Sequence, residues 1–266
     1  MSNRGMKRRG STHRDDLINT APCTRRPPSP ANDRSFAARI GSIRPRRAAR
    51  QQVGTLHPVD DTKLAALNAD PTAYLTDPDP VARRLAVSAS VGNAVDPGVA
   101  AQLISMLAGD PEPRVRAEAA EALGAAGPVA LEPLLAATAD PDPVVVEAVA
   151  TGLGELEDPA AVPWLIETAD SHDDRLVREA AVAALGATGD DRALPVLLQL
   201  VATGPPQIRR RCVVALTVFD GDDVEAAIRA AAIDRNPMVR EAAEMVVGRP
   251  TADWTQLELS ESPPDS

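Results

Sequence analysis

The 266-residue chain holds only two lysines (Lys7 and Lys63), three histidines and two cysteines, and its aromatic residues are two Trp, one Tyr and two Phe. Each scarcity removes a class of structure or chemistry. With so few aromatics, Ala, Val and Leu carry almost all the apolar mass. Strands draw on β-branched and aromatic side chains, whereas Ala and Leu head the helix scale, so the composition favours closely packed helices over a β-sandwich. Cys23 and Cys212 have no CxxC or metal-type spacing; they give no disulfide framework and fit a reducing cytoplasm. His13, His57 and His172 do not cluster with each other or with the cysteines, which leaves no zinc ligand set. No apolar run approaches the roughly 20 residues of a membrane span. No apolar stretch follows Arg8-Arg9, so the start of the chain does not read as a secretory signal. The glycines are spread as punctuation, with no phosphate-binding loop, and no Ser-His-Asp or Cys-His constellation can be argued.

What is present is charge, unevenly spread. Residues 1–52 carry 13 basic and 3 acidic residues, net +10, and the remaining 214 carry 15 basic and 35 acidic, net −20. A body of that sign repels a nucleic-acid backbone at ordinary ionic strength. Residues 1–55 are rich in Arg, Pro and Ser without apolar periodicity, Arg25-Arg26-Pro27-Pro28-Ser29-Pro30 and Arg44-Pro45-Arg46-Arg47 being the clearest pieces. They read as a disordered basic extension. Two readings stay open for it: an arm for nucleic acid or acidic partners, and a dispensable extension upstream of a start at Val53. Residues 250–266 read as an acidic tail in which Trp254 either caps the last repeat or belongs to a short linear motif.

Between them the sequence repeats. The pattern V-R-x-x-A-x-x-A-L-G runs from Val115-Arg116 to Leu123-Gly124, from Val177-Arg178 to Leu185-Gly186 and from Val239-Arg240 to Val247-Gly248. Weaker copies start at Arg83-Arg84, Val145-Val146 and Ile208-Arg209, so the second residue of each pair falls at 84, 116, 146, 178, 209 and 240, a period near 31. Asp77-Pro78-Asp79-Pro80, Asp110-Pro111-Glu112-Pro113 and Asp140-Pro141-Asp142-Pro143 precede three copies. Asp caps the free amides of a first helical turn, and Pro is tolerated there; the glycine at the end of each copy suits a helix C-cap. A second apolar helix precedes each motif: Lys63 to Leu75, Val99 to Leu107, Ala130 to Thr138, Ala161 to Ala169, Ala193 to Val201 and Val224 to Ile233. Apolar residues one before, three after and seven after the Arg position, such as Val115, Ala119 and Leu123 or Ile208, Cys212 and Leu216, form one stripe and are the candidate core. The expectation is an all-α fold: an α-solenoid of about six stacked helix pairs over residues 60–249.

The motif with this period resembles the short HEAT-like repeats of phycobilin lyase subunits. The resemblance covers residues 60–249 and implies an armadillo-like helical array whose second helices line the concave face. It implies that the repeat arginines, Arg84, Arg116, Arg178, Arg209 and Arg240, form a structural ladder with Asp groups of the same or neighbouring repeats. That ladder should be interrupted at Val146 and again in copy six, where Asp234 and Asn236 replace a full Asp-Pro pair. The Lys-poor, acidic body also resembles proteins of salt-in halophilic archaea; an acidic protein of a GC-rich genome has the same look.

Fold does not fix function. A HEAT-like deoxyhypusine hydroxylase needs several His-Glu pairs to hold two irons, and here His172 is followed by Asp173 with no second pair. The chain therefore reads as having no catalytic constellation, metal or cofactor. Outward positions of the second helices carry Glu118, Glu121, Glu147, Glu179, Arg210, Arg211 and Glu241. They are the candidate partner-binding residues, for a protein with a basic segment. The leading expectation is a monomeric, cytoplasmic interaction scaffold or adaptor. The alternatives are an accessory subunit of a lyase-type or maturation enzyme, and a nucleic-acid binder acting through the basic extension.

Overall fold

The computed structural model describes residues 60–250. The expected basic extension, the acidic tail and Trp254 lie outside the described residues. Among the described residues twelve α-helices follow one another in six antiparallel pairs. Pair 1 is α1 (Asp61–Ala69) and α2 (Pro80–Ser90); pair 2 is α3 (Pro97–Gly109) and α4 (Pro113–Leu123). Pair 3 is α5 (Leu131–Ala136) and α6 (Pro143–Leu156); pair 4 is α7 (Val162–Ser171) and α8 (Arg175–Thr188). Pair 5 is α9 (Leu194–Thr203) and α10 (Pro206–Leu216); pair 6 is α11 (Asp222–Ala231) and α12 (Pro237–Val247). No strand occurs among the described residues.

Local chemistry starts the second helices where the sequence says it should. Asp79, Asp142, Asp174 and Asn236 accept the amide two residues on and cap α2, α6, α8 and α12. Pro80, Pro113, Pro143, Pro206 and Pro237 occupy first-turn positions, where a missing N–H costs nothing. The expected helix from Lys63 to Leu75 is broken: Asp70-Pro71 ends α1 and a 3-10 turn, Pro71–Tyr74, follows. Proline at 71 cannot donate into the preceding helix.

The second helices pack directly against one another from α2 to α12, while the first helices meet their neighbours at only a few places. The expected stripe is buried in α4, α6, α8 and α10: Val115, Ala119 and Leu123; Val145, Val149 and Leu153; Val177, Ala181 and Leu185; Ile208, Cys212 and Leu216. In α12 Val239 and Ala243 are buried and Val247 is half-buried. Each large side chain so buried contributes about 2 kcal/mol. In α2 the expected stripe of Arg83, Val87 and Val91 does not hold, since Arg83 is ion-paired and Val91 is exposed; the buried line is Ala82, Ala86 and Ser90, whose hydroxyl donates to the Ala86 carbonyl at 2.8 Å.

Gly124 stands at the end of α4 as expected, but in two other copies the repeat glycine does a different job. Gly154 and Gly186 lie inside α6 and α8, which run on until Glu157 and Gly189 close them in left-handed conformation (φ 52° and 58°). A Cβ on Gly154 would sit 2.7 Å from the Ala184 Cβ, and one on Gly186 would sit 2.8 Å from the Ala215 Cα. One on Gly124 would meet Gly152 Cα of α6 at 3.2 Å. In these copies the glycine lets the next second helix approach backbone to backbone. Gly248, with φ 85°, does end α12.

Pro113–Ala139 is long and apolar enough by composition to cross a membrane, yet it is four short helical pieces, and Gly127 at φ 74° and Pro128 break the second of them, Gly124–Ala130. Cys212 is fully buried, and burial pushes its thiol up to about 12. In a Cys23→Ser variant, Cys212 should therefore resist a thiol reagent at pH 8 in native conditions and react at once in 6 M guanidinium. Fast native labelling would show that the joint between α8 and α10 opens readily.

Candidate partner-binding face and its arginine–aspartate clamps

The Asp-Pro turns and the repeat arginines meet across pair boundaries. Arg83 Nε and Nη2 donate to Asp110 at 2.7 and 2.8 Å, Arg116 to Asp140 at 2.7 and 2.9 Å, and Arg209 to Asp234 at 2.8 and 2.8 Å. Each fork also donates through Nη1 to a carbonyl of its own turn: Asp77, Asp110 and Gly204. The acceptor carboxylates take a further bond from the amide two residues on, Glu112, Asp142 or Asn236. The result is a bidentate clamp with its polar atoms engaged on both sides, the geometry for which arginine is suited and lysine is not.

The register differs from the expected one in pair 1, where Arg83, not Arg84, makes the clamp. The clamping arginine stands six residues after the first Asp of its turn, as Arg83 does from Asp77 and Arg116 from Asp110. Copy six is not an interruption, since Asp234 accepts Arg209. Val146 does break the series, and the position facing it in pair 4 is His172 instead of Asp, its Nδ1 accepting the Asp174 amide at 3.0 Å. Arg and Asp are thus both absent at one joint. A further break falls at Arg178. Gly204 stands where the next pair would offer Asp, and Arg178 Nε donates to the Ala169 carbonyl at 2.9 Å. Arg240 Nη1 donates to the Asp234 backbone carbonyl of its own turn at 2.7 Å, with no described pair after it.

Burial pushes the Asp110 and Asp140 carboxyls up, but the guanidinium forks and the capped amides outweigh it and hold both below the usual 3.8. At Asp234 the Arg209 guanidinium is the leading cause and the direction is the same. Folded pKa values below the unfolded ones mean stability that is present above about pH 4 and lost as pH falls through the folded values. The stability gap between wild type and Asp140→Asn should accordingly be full at pH 6 and shrink below pH 4, read from urea midpoints. A gap that does not change with pH would contradict the clamp.

The free side of the second-helix layer carries the candidate residues. Glu118 and Glu121 on α4, Glu147 on α6 and Glu179 on α8 are half-buried; Arg210 on α10 and Glu241 on α12 are exposed, and Arg211 is half-buried. Glu179 accepts from Arg175 on its own helix. Sequence reasoning placed these seven by their offset from the arginine. It missed the exposed apolar residues beside them at the head of three helices, Val144, Leu176 and Met238. They all stand two residues before the arginine position, a regularity that the alignment itself contained. Glu241 also borders a hollow of about 430 Å³ with Glu244, Met245 and Arg249. Among the described residues no three His, Cys, Asp or Glu side chains come together as a metal site.

The family model for HEAT repeats matches residues 70–149 and, overlapping it, residues 131–217. The chain is a HEAT-repeat protein. Among solved structures, this HEAT array is similar to a designed armadillo repeat protein in complex with the peptide (KR)4, at 16% identity and TM-score 0.50, covering 68% of this chain and 98% of that one. It is also similar to the complex of CpcE and CpcF of phycocyanin lyase from Nostoc sp., at 23% identity and TM-score 0.49, covering 55% and 98%. Human deoxyhypusine hydroxylase matches at 24% identity and TM-score 0.31, covering 71% and 84%. At these identities the likeness is one of fold. No curated protein matches the HEAT chain in sequence.

Proposed function

We propose that this HEAT-repeat protein is a non-catalytic interaction scaffold that holds a basic segment of a partner protein along its second-helix face. The observation that carries the reading is the placement of Glu118 and Glu121, Glu147 and Glu179 on three consecutive second helices, on the side turned away from the core. Neighbouring helices pack 8–10 Å apart, and an extended chain advances about 3.3 Å per residue. Carboxylates on successive helices therefore match basic side chains spaced about three residues apart. The designed armadillo protein offers a precedent for the fold, its (KR)4 peptide being basic. In this chain the carboxylates of α4, α6 and α8 supply the complementary charge.

A fluorescein-labelled (KR)4 peptide titrated with the full chain gives the test, at low and at molar KCl. Wild type should bind, the affinity should fall with salt, and Glu147→Arg with Glu179→Arg should weaken binding at least tenfold. Equal affinity of wild type and the double variant would remove the face from consideration.

A further inference from the structure

Arg210 and Arg211, adjacent on α10, break the run of carboxylates along the second-helix face. Neither forms an ion pair or donates a hydrogen bond among the described residues. Their neighbours are accounted for: Arg209 is clamped onto Asp234, and Glu179, the carboxylate acting on Arg211, takes its hydrogen bond from Arg175. Arg211 is half-buried, and burial pulls its pKa below the usual guanidinium value; Glu179 opposes that shift and Arg210 adds to it. A cation drawn out of water is unfavourable unless it is both paired and hydrogen-bonded, and Glu179, engaged by Arg175, compensates Arg211 only in part. The body of the chain is otherwise rich in acid, so two adjacent cations with no hydrogen-bonded carboxylate stand against its general charge.

Building on the scaffold reading, we infer that α10 is a carboxylate-accepting position, so that the bound segment is mixed in charge. It is basic opposite α6 and α8, where Glu147 and Glu179 stand, and it carries one Asp or Glu opposite Arg210 and Arg211. A guanidinium pair is well suited to a carboxylate, which it can grip by two parallel bonds. The helix spacing sets the register at about three residues per helix. The recognised pattern is a basic residue, two others, a basic residue, two others and an acid, in one chain direction. An all-basic segment is held by the carboxylates of α4, α6 and α8 and meets like charge only where it reaches α10, so it binds more weakly than one with an acid at that position.

The test uses the full chain and labelled peptides KAAKAAE and KAAKAAQ, each also in reversed order. In one order the Glu peptide should bind wild type at least fivefold tighter than its Gln counterpart. That gain should vanish in Arg210→Glu, an exposed substitution that leaves the core untouched, and in Arg210→Gln with Arg211→Gln, all folds checked by circular dichroism. A second readout is Arg211→Met, which should raise the melting temperature without partner while removing the preference for Glu. If Glu and Gln peptides bind equally in both orders, and Glu147→Arg with Glu179→Arg still weakens both, the mixed-charge inference fails and the scaffold reading survives. If no peptide binds wild type, the scaffold reading fails and takes this one with it.

Discussion

Asp110→Ala should lower the free energy of unfolding by about 3 kcal/mol, measured by urea denaturation at pH 7. The Asp110 carboxylate is nearly inaccessible and accepts from Arg83 Nε, Arg83 Nη2 and the Glu112 amide. Its removal strands the Arg83 guanidinium, whose side chain is 13% exposed, with only the Asp77 and Pro78 carbonyls as acceptors. The large effect comes from the charge left behind, not from the net worth of the pair. Arg83→Met combined with Asp110→Leu should therefore recover most of the loss, because removing both charges also removes the cost of desolvating them. A single substitution costing under about 1 kcal/mol, in the range of exposed surface pairs, would show that the clamp is solvated in solution.

Gly154→Val should be as damaging, at about 3 kcal/mol, the upper part of the usual range for overpacking. The new Cβ alone would fall 2.7 Å from the Ala184 Cβ and 2.8 Å from the Ala184 Cα, so α6 and α8 would have to move apart as units. The informative control is Gly109→Ala at the end of α3. A Cβ there meets nothing within 4 Å, and that change should be neutral or stabilise by roughly 0.5 kcal/mol through the unfolded chain. Similar losses at both positions would show that helix propensity rather than close approach governs Gly154.

The two substitutions probe two kinds of joint. Between pairs 1 and 2 and between pairs 5 and 6, the second helices are tied by an Arg–Asp clamp. Between pairs 3 and 4 and between pairs 4 and 5 there is no clamp, and glycine contacts, Gly154 on Ala184 and Gly186 on Ala215, bring the backbones together. Pairs 2 and 3 have both, with Arg116 on Asp140 and Gly152 under the Ala120 carbonyl. The middle of the array thus relies on shape where the ends rely on charge.

Much of this was legible from residue spacing. The period near 31, the capped Asp-Pro turns and the buried stripe are local signals that tertiary packing does not override. The failures were long-range. Arg83-Arg84 offers two arginines to one alignment column, and only the six-residue distance from Asp77, set by the turn, selects the first. Gly124 and Gly248 do stand at helix ends, but Gly154 and Gly186 looked like caps only because caps are judged within one helix. Their true neighbours, Ala184 and Ala215, are each in the next pair. Asp234 looked like a weak copy for want of a following proline, yet the carboxylate alone is what Arg209 needs. On the candidate face, offsets from the arginine found the charges, while the partners that distinguish Glu179 from Arg211 required the folded helices.

Because each clamp joins an arginine of one pair to an aspartate of the next, the interacting unit straddles the unit that a duplication or deletion would copy. Loss of pair 2 would bring Arg83 to Asp140 and regenerate a clamp. Loss of pair 4 would bring Val146 to Gly204 and leave no charge unmatched. Loss of pair 3 would set Arg116 against His172, a cation facing an imidazole. The array is thus unequally tolerant of changes in its own length, and the substitutions at Val146 and His172 mark where a shortened or lengthened descendant would be spliced badly.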